Sequence, residues 1–148
     1  MDFDHVAGRR SGILSVASFF PVWLGLANAA ESDATLALLP RLERAHGVLA
    51  CEPGPRSRAC QWDAPNAWAP LQYAVVRALL TCGRDADARR VATAFVGTVA
   101  RNFAQTGDLW EKYNADTGGL DVRNEYGLPA MMGWTAGVCA ALAEEPGL

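Results

Sequence analysis

Two amphipathic stretches follow each other directly, separated by little more than Gly83. In residues 68–82 and 85–105, apolar side chains recur at three- and four-residue spacing, which places them on one stripe of an α-helix. Gly83 is a natural C-terminal cap for the first stretch. Helix is the dominant signal along the chain, so we expect an all-α fold.

Three further helices are predicted around this pair. Residues 11–28 form the first, bent or restarted near Pro21, and residues 33–45 form the second, with Ser32 or Asp33 as N-cap. Residues 133–143 form the last. Because 51% of the 148 residues are hydrophobic and 20% are charged, the chain can bury a core. We expect one domain or part of one.

The connections between these helices differ in length. Those at 29–32 and 83–84 are short, whereas those at 48–67 and 106–132 are long. Consecutive antiparallel helices alternate direction, so every second connection lies at the same end. We predict that the two long loops share one face with residues 1–10, where binding and chemistry usually sit.

Residues 8–30 combine two arginines, an apolar run and the ending ANAA. This is the outline of a secretory signal peptide and also of a buried amphipathic helix. Pro21 splits the run, which favours the buried helix. The interrupted run is too short for a membrane span, so no membrane partner is expected.

Charge and cysteine content exclude other classes of function. The net charge of −3 and the scattered arginines make nucleic acid an unsuitable partner. The four cysteines and two histidines match no zinc spacing, so no metal site is predicted. Cys51 and Cys60 flank a short loop; a disulfide between them and free thiols both stay open.

The two long loops concentrate aromatic and acidic residues. Four of the five tryptophans lie in or beside them: Trp62, Trp68, Trp110 and Trp134. An indole face stacks on the C–H face of a sugar ring, and neighbouring carboxylates and amides bind its hydroxyls. The loops therefore indicate a carbohydrate site, although Trp68 and Trp134 also suit a role in capping the helical core.

Glu111 and Glu125 lie together in the second loop. Inverting glycoside hydrolysis needs one carboxylic acid and one carboxylate on opposite sides of the sugar. From the residues alone, Glu111 is equally a catalytic carboxylate or the partner of Lys112 or an arginine.

Two ordered motifs resemble the trehalase family. QWDAPNAWAP at residues 61–70 departs from the family signature QWDxPxGWAP only at Ala67. EKYN at 111–114, the pair Gly118-Gly119, EY at 125–126 and GWTAGV at 133–138 are similar to the family's EKYD, a Gly-rich run, EY and GWTNGV.

The resemblance implies the C-terminal part of a catalytic domain over residues 1–148, with about five of the twelve helices of an (α/α)6 barrel. It implies hydrolysis of α,α-trehalose to glucose with inversion, without metal or organic cofactor. Glu111 stands at the position of the general base. The resemblance implies Glu125 and Trp62 as sugar-binding residues, with Gln61, Asp63 and Asn66 from the same signature. The loop tryptophans Trp110 and Trp134 complete the predicted substrate-binding residues.

Several features depart from the family or have no counterpart in this chain. Asn114 and Ala136 replace an Asp and an Asn, and the glycine run is reduced to Gly118-Gly119. Leu120, Asp121 and Arg123 after it would reshape the pocket. Another α-glucoside substrate and a non-catalytic carbohydrate-binding or assembly module therefore stay open. The segment that carries the general acid has no counterpart. We expect a chain that is inactive alone, a missing N-terminal half of the barrel as its partner, and a cytoplasmic rather than a secreted or periplasmic location.

Overall fold

The computed structural model describes residues 3–54, 60–130 and 132–145. Within this part, the chain consists of α-helices and three pairs of two- or three-residue strands. The helices are α1 (Phe20–Trp23), α2 (Ala29–Leu36), α3 (Leu39–Leu42), α4 (Ala69–Thr81), α5 (Asp85–Thr106) and α6 (Gly133–Glu144). The antiparallel strand pairs are β1 (Phe3–Asp4) with β2 (Arg9–Arg10), β3 (Glu43–Arg44) with β4 (Gly47–Val48), and β5 (Asn66–Trp68) with β6 (Lys112–Asn114).

Helix α4 lies at the centre of the fold. It contacts α1, α5 and α6, and its buried face carries Ala74, Val75, Ala78 and Leu79. Because α4 is surrounded on several sides, its apolar stripe packs into the core instead of facing water. The predicted hairpin of two long helices is confirmed, and α6 ends one residue beyond its predicted boundary.

The N-terminal helices differ from the prediction. A 3-10 turn at Val16–Phe19 runs into α1, which ends at Trp23 and not at residue 28. Asn28 is the N-cap of α2, because its side chain accepts a hydrogen bond from the Glu31 amide while the Glu31 carboxylate accepts one from the Asn28 amide. This reciprocal capping box starts the helix four residues before the predicted Ser32 or Asp33 boundary.

The predicted second helix is also interrupted. Helix α2 ends at Leu36, Pro40 lies in the first turn of the separate α3, and strand β3 begins at Glu43. Proline removes a backbone donor and fixes φ, so it starts a helix more readily than it continues one. The predicted end at residue 45 is wrong for this reason.

The apolar segment near the N-terminus belongs to the core. Leu14, Val16 and Phe19 are completely buried, and Val22 is nearly so. These contacts favour the buried-helix interpretation over the signal peptide. In the part of the chain that the structure describes, no helix is both long and apolar enough to cross a membrane.

Gly118 lies where a side chain would meet its neighbours. Its φ is +73°, and an added Cβ would lie 2.8 Å from Nδ1 of His46, whereas Gly83 has a φ of +67° with nothing within 4 Å. In both alanine variants the left-handed backbone costs about 1–2 kcal/mol. We expect Gly118→Ala to lower the free energy of unfolding by about 1–3 kcal/mol more than Gly83→Ala, because it also crowds His46. Urea denaturation measures both, and equal losses would show that His46 moves aside freely.

Candidate functional site

The two long loops meet through strands β5 and β6. Asn66 pairs with Asn114, Ala67 with Tyr113, and Trp68 with Lys112. The ladder places Trp68, near the end of the QWDAPNAWAP motif, beside Lys112, which follows Glu111. The prediction that both loops share one face is therefore confirmed, although neither short strand was predicted.

Residues 1–10 were predicted to share this face. The hairpin β1–β2 lies instead near α2, where Phe3 and Arg10 line a groove with Leu26. The following segment does reach the first loop, since the Val16 amide donates to the Ala50 carbonyl at 3.0 Å.

Asn66 fastens the two loops to each other. Its Nδ2 donates to the carbonyls of Gln61 at 2.8 Å and Arg123 at 2.6 Å, while its Oδ1 accepts from the Arg123 amide at 2.8 Å. The side chain is completely buried. These three bonds hold the loop that precedes Glu125 against the QWD motif.

The carboxylate of Glu111 is buried and held by two donors. Its Oε2 accepts from the Lys112 ammonium at 2.6 Å, and the Tyr126 hydroxyl lies 2.8 Å from Oε1 and 2.9 Å from Oε2. Glu111 is 6% exposed. The Lys112 pairing that was set against a catalytic role is thus present, but as a buried contact and not a surface one.

Tyr126 keeps its proton at neutral and moderately alkaline pH. Loss of solvent around the hydroxyl, its hydrogen bond to Glu111 and the charges of Glu111 and Glu125 raise the pKa of Tyr126 to about 12. Ionisation would place a third negative charge beside two carboxylates, which is unfavourable. Tyr126 therefore remains a donor to Glu111 throughout the usual working range of enzymes.

Three tryptophans form a platform beside this carboxylate. Trp62 stacks on Trp68 with ring centroids 4.1 Å apart and an interplanar angle of 12°, and Trp134 meets Trp68 edge-on at 5.5 Å. Trp68 is 1% exposed, whereas Trp62 is 47% exposed. A rigid inner ring therefore supports an outer ring that has surface available for a ligand.

The other residues predicted to bind substrate divide into two groups. Gln61 and Glu125 lie together, since the Gln61 amide donates to Glu125 Oε2 at 3.3 Å. Asp63 is buried and accepts from the Cys51 thiol at 3.6 Å. The indole N–H of Trp110 donates to Thr106 at the end of α5, and its ring packs against the core. Asp63 and Trp110 thus make contacts that brace the loops.

A cavity of about 420 Å³ opens beside Trp62. Its walls come from the N-terminal segment, α1, the start of the first loop and α4, and they include Ser11, Ile13, Ser15, Phe20, Cys51 and Leu71. Trp62 therefore belongs both to the tryptophan platform and to the wall of this cavity. Cys82 and Cys139 are free thiols.

Two of the departures from the trehalase motifs, Asn114 and Asp121, form part of a turn. Asn114 Nδ2 donates to the Asp121 carbonyl at 2.9 Å and to Asp121 Oδ2 at 3.0 Å, and Asp121 Oδ1 accepts from Thr117 at 2.7 Å. An aspartate at position 114 could not donate these bonds. The side chain of Asp121 is therefore engaged within the loop.

Lys112 and Tyr126 are the functional candidates that the sequence did not single out. A lysine next to a glutamate usually signals a solvent-exposed pair, and a lone tyrosine in a loop carries no spacing signal. The EY pair of the second motif was the only pointer to Tyr126.

Comparison with known proteins identifies the chain's relatives. The family model described as trehalase matches residues 1–146. The chain belongs to the trehalase family. It is 35% identical over 143 residues to the periplasmic trehalase of Pseudomonas aeruginosa and 34% identical over 142 residues to that of Xanthomonas axonopodis pv. citri. Each alignment covers 95% of this chain but only 26% and 25% of the relative. This trehalase-family chain thus spans about a quarter of the curated relatives' length.

Two solved structures have the same fold as this chain. The neutral trehalase Nth1 from Saccharomyces cerevisiae superposes with a TM-score of 0.80 at 26% identity, over 96% of this chain and 25% of that one. An uncharacterized conserved protein from Thermus thermophilus shares the fold alone, with a TM-score of 0.67 at 19% identity, over 95% of this chain and 32% of that one. The predicted all-α chain with the fold of part of a trehalase (α/α)6 barrel is confirmed.

The predicted cytoplasmic location of this trehalase-family chain is wrong. The bacterial relatives that it matches at 33–35% identity are named periplasmic trehalases. The prediction rested on treating residues 8–30 as an internal helix, and a buried helix says nothing about the compartment of the whole protein.

Proposed function

We propose that this chain forms one wall of the active site of an inverting glycoside hydrolase that cleaves α,α-trehalose into two glucose molecules. Glu111 is the general base. The observation that carries the proposal is the buried Glu111 carboxylate, held by Lys112 and Tyr126 beside the exposed ring of Trp62. Membership of the trehalase family supports the choice of substrate.

The arrangement of donors around Glu111 suits a base. An ionised carboxylate offers about four lone-pair positions. The Lys112 ammonium takes one on Oε2, and the single Tyr126 proton is shared between one position on each oxygen. One position on Oε1 is left to accept a proton from water. That water attacks the anomeric carbon while the second glucose departs, so one product is β-glucose and the other is α-glucose.

The other residues of the site divide between binding and bracing. Trp62 stacks on a glucose ring, Trp134 borders it, and the polar groups of Gln61 and Glu125 bind hydroxyls. Asp63, Asn66 and Trp110 hold the loops in place through the contacts described above. This division is supported by exposure, because Trp62 and Glu125 are exposed whereas Asp63 and Asn66 are buried.

The general acid lies outside this chain in our proposal. Residues 1–148 are the C-terminal part of a larger (α/α)6 catalytic domain, and the remaining helices complete both the barrel and the site. This is supported by the apolar groove on α5 and α6, which Val96, Val99, Phe103, Leu109 and Cys139 line. Phe103 is 50% exposed there, as expected of a face that packs against further helices.

We also infer a periplasmic location for the complete protein. The names of the bacterial relatives support it. Recovery of the protein in the fluid released by osmotic shock tests this, and retention with cytoplasmic markers would contradict it.

A hybrid enzyme tests the proposed function. In it, this chain replaces the segment that it matches in the Pseudomonas aeruginosa periplasmic trehalase; we call it the hybrid trehalase. We expect the hybrid to release glucose from trehalose and the isolated chain to release none, because loss of acid catalysis alone lowers a rate by about 10²- to 10⁴-fold.

Proton NMR of the first products decides the stereochemistry. Equal initial amounts of α- and β-glucose support inversion, whereas α-glucose alone would indicate retention. Kojibiose and maltose are assayed in parallel. Faster hydrolysis of either one would favour a different α-glucoside, and a folded hybrid with no activity on any of the three would contradict the proposal.

A further inference from the structure

Lys112 is the only lysine of this chain, which carries twelve arginines. It is also completely buried. A buried ammonium loses its hydration and is tolerated only where other groups replace the lost water. The position next to Glu111 therefore needs neighbouring groups that replace the water lost by the ammonium.

Two aromatic rings are among the groups that surround Lys112. Its Nζ lies 4.5 Å from the centroid of the Trp68 ring and 4.9 Å from that of Tyr126. Trp62 covers one face of Trp68 by stacking, so the ammonium lies against the opposite face. A compact ammonium fits this slot between two rings, whereas a planar guanidinium needs a wider one.

Between the two rings, the Lys112 ammonium points to one oxygen of the Glu111 carboxylate. Lys112 Nζ lies 2.6 Å from Glu111 Oε2, and the Tyr126 hydroxyl bridges both oxygens. Together they fix the plane of the carboxylate and leave its open lone pair on Oε1. Lys112 touches the base on the side away from that lone pair, so it has no direct route to the reacting atoms.

We propose that Lys112 is a positioning residue, a buried ammonium between the rings of Trp68 and Tyr126 that holds the Glu111 carboxylate in the orientation needed for water activation. The inference rests on the proposed function of Glu111 as base. The positioning role further implies that one residue, Trp68, supports both the sugar platform and the base. Trp62 stacks on one face of Trp68, and Lys112 lies against the other face.

Lys112→Met in the hybrid trehalase tests this role, because methionine has a similar length and no charge. We expect kcat for trehalose to fall by about 10- to 100-fold, which corresponds to one lost charge-assisted hydrogen bond. KM should stay within about twofold, since Lys112 does not face the proposed sugar site. A kcat within twofold of the parent would overturn the positioning role.

Rescue by a small amine separates charge from packing. Lys112→Ala leaves a space that ethylammonium fills, whereas Lys112→Met leaves none. Ethylammonium is added at about 50 mM, an ordinary buffer strength. We expect it to raise kcat of the alanine variant at least about fivefold and to leave kcat of the methionine variant unchanged. Failure to raise kcat of a folded alanine variant would overturn the electrostatic part of the role.

Two further variants keep the test decisive. If Lys112→Met fails to fold, Lys112→Gln retains a hydrogen-bond donor without the charge and is measured for the same loss of kcat at constant KM. Glu111→Gln distinguishes the two proposals. If that variant is inactive and Lys112→Met is fully active, only the positioning role fails; if Glu111→Gln is active, the proposed function fails.

Discussion

Glu111→Gln should lower kcat of the hybrid trehalase by about 10²- to 10⁴-fold, the range that general base catalysis contributes. Glutamine keeps the shape of glutamate, and its carbonyl can still accept from Lys112 and Tyr126. It cannot take a proton from water. KM should change little, because the sugar contacts come from Trp62 and its neighbours. Steady-state kinetics on trehalose measures both constants.

Glu144→Gln is the matched control, because Glu144 is an exposed glutamate at the end of α6. It should leave kcat and KM unchanged. A Glu111→Gln hybrid that keeps more than about a tenth of its kcat would show that Glu111 is not the base. That result would favour the non-catalytic carbohydrate-binding module.

Glu111→Gln also changes the stability of the fold, which by itself lowers a measured rate. Removing one partner of a buried ion pair usually costs about 3–5 kcal/mol, because the other charge stays buried and unpaired. Here the Lys112 ammonium keeps its contacts with the rings of Trp68 and Tyr126, which offsets part of this. We therefore expect a folded variant with a lower melting temperature, and circular dichroism must show native helix content before the rates are compared.

The long helices could be predicted because their signal is repeated along many residues. Helices α4 and α5 each carry three or more turns of apolar stripe. Helix α4 ends at Thr81, one residue before its predicted end, and α5 ends at Thr106, one residue after its predicted end. Errors of one residue in such a pattern do not change which face is buried.

The N-terminal third could not be predicted in this way because short elements depend on single residues. The capping box of Asn28 and Glu31 is a single N-x-x-E pattern, and one such pattern does not by itself fix where a helix begins. Helices of four residues such as α1 and α3 form only where tertiary packing supports them.

The site was predictable as a region and not as a set of contacts. Loop lengths placed Glu111 near the QWD motif, and the motifs singled out Glu125 and Trp62. No pattern in the sequence shows that Lys112 is buried, because a three-residue strand such as β6 has too few residues to reveal its burial by periodicity. The pairing of β5 with β6 is what buries it.

Asn66→Ala should destabilise the chain in the absence of any sugar. Two hydrogen bonds of its side chain join the first loop to Arg123 in the second, and a third joins it to Gln61 within the first loop. The truncation leaves these partners without the Asn66 amide. Each unsatisfied buried group costs about 1–3 kcal/mol. Since Arg123 is exposed as a residue, water replaces part of the loss, and we expect a total of about 2–4 kcal/mol in the free energy of unfolding.

Urea denaturation of the chain without ligand measures this loss, with the exposed Asn124→Ala as the matched control. The result also separates two roles for Asn66. A residue that only binds sugar would leave the ligand-free stability unchanged and raise KM in the hybrid trehalase. If Asn66 is a clamp, its loss lowers the free energy of unfolding without ligand. It also lowers kcat, because the released loop carries Tyr126, one of the two donors to Glu111. Unchanged stability in Asn66→Ala would therefore contradict the clamp and return Asn66 to the substrate-binding residues.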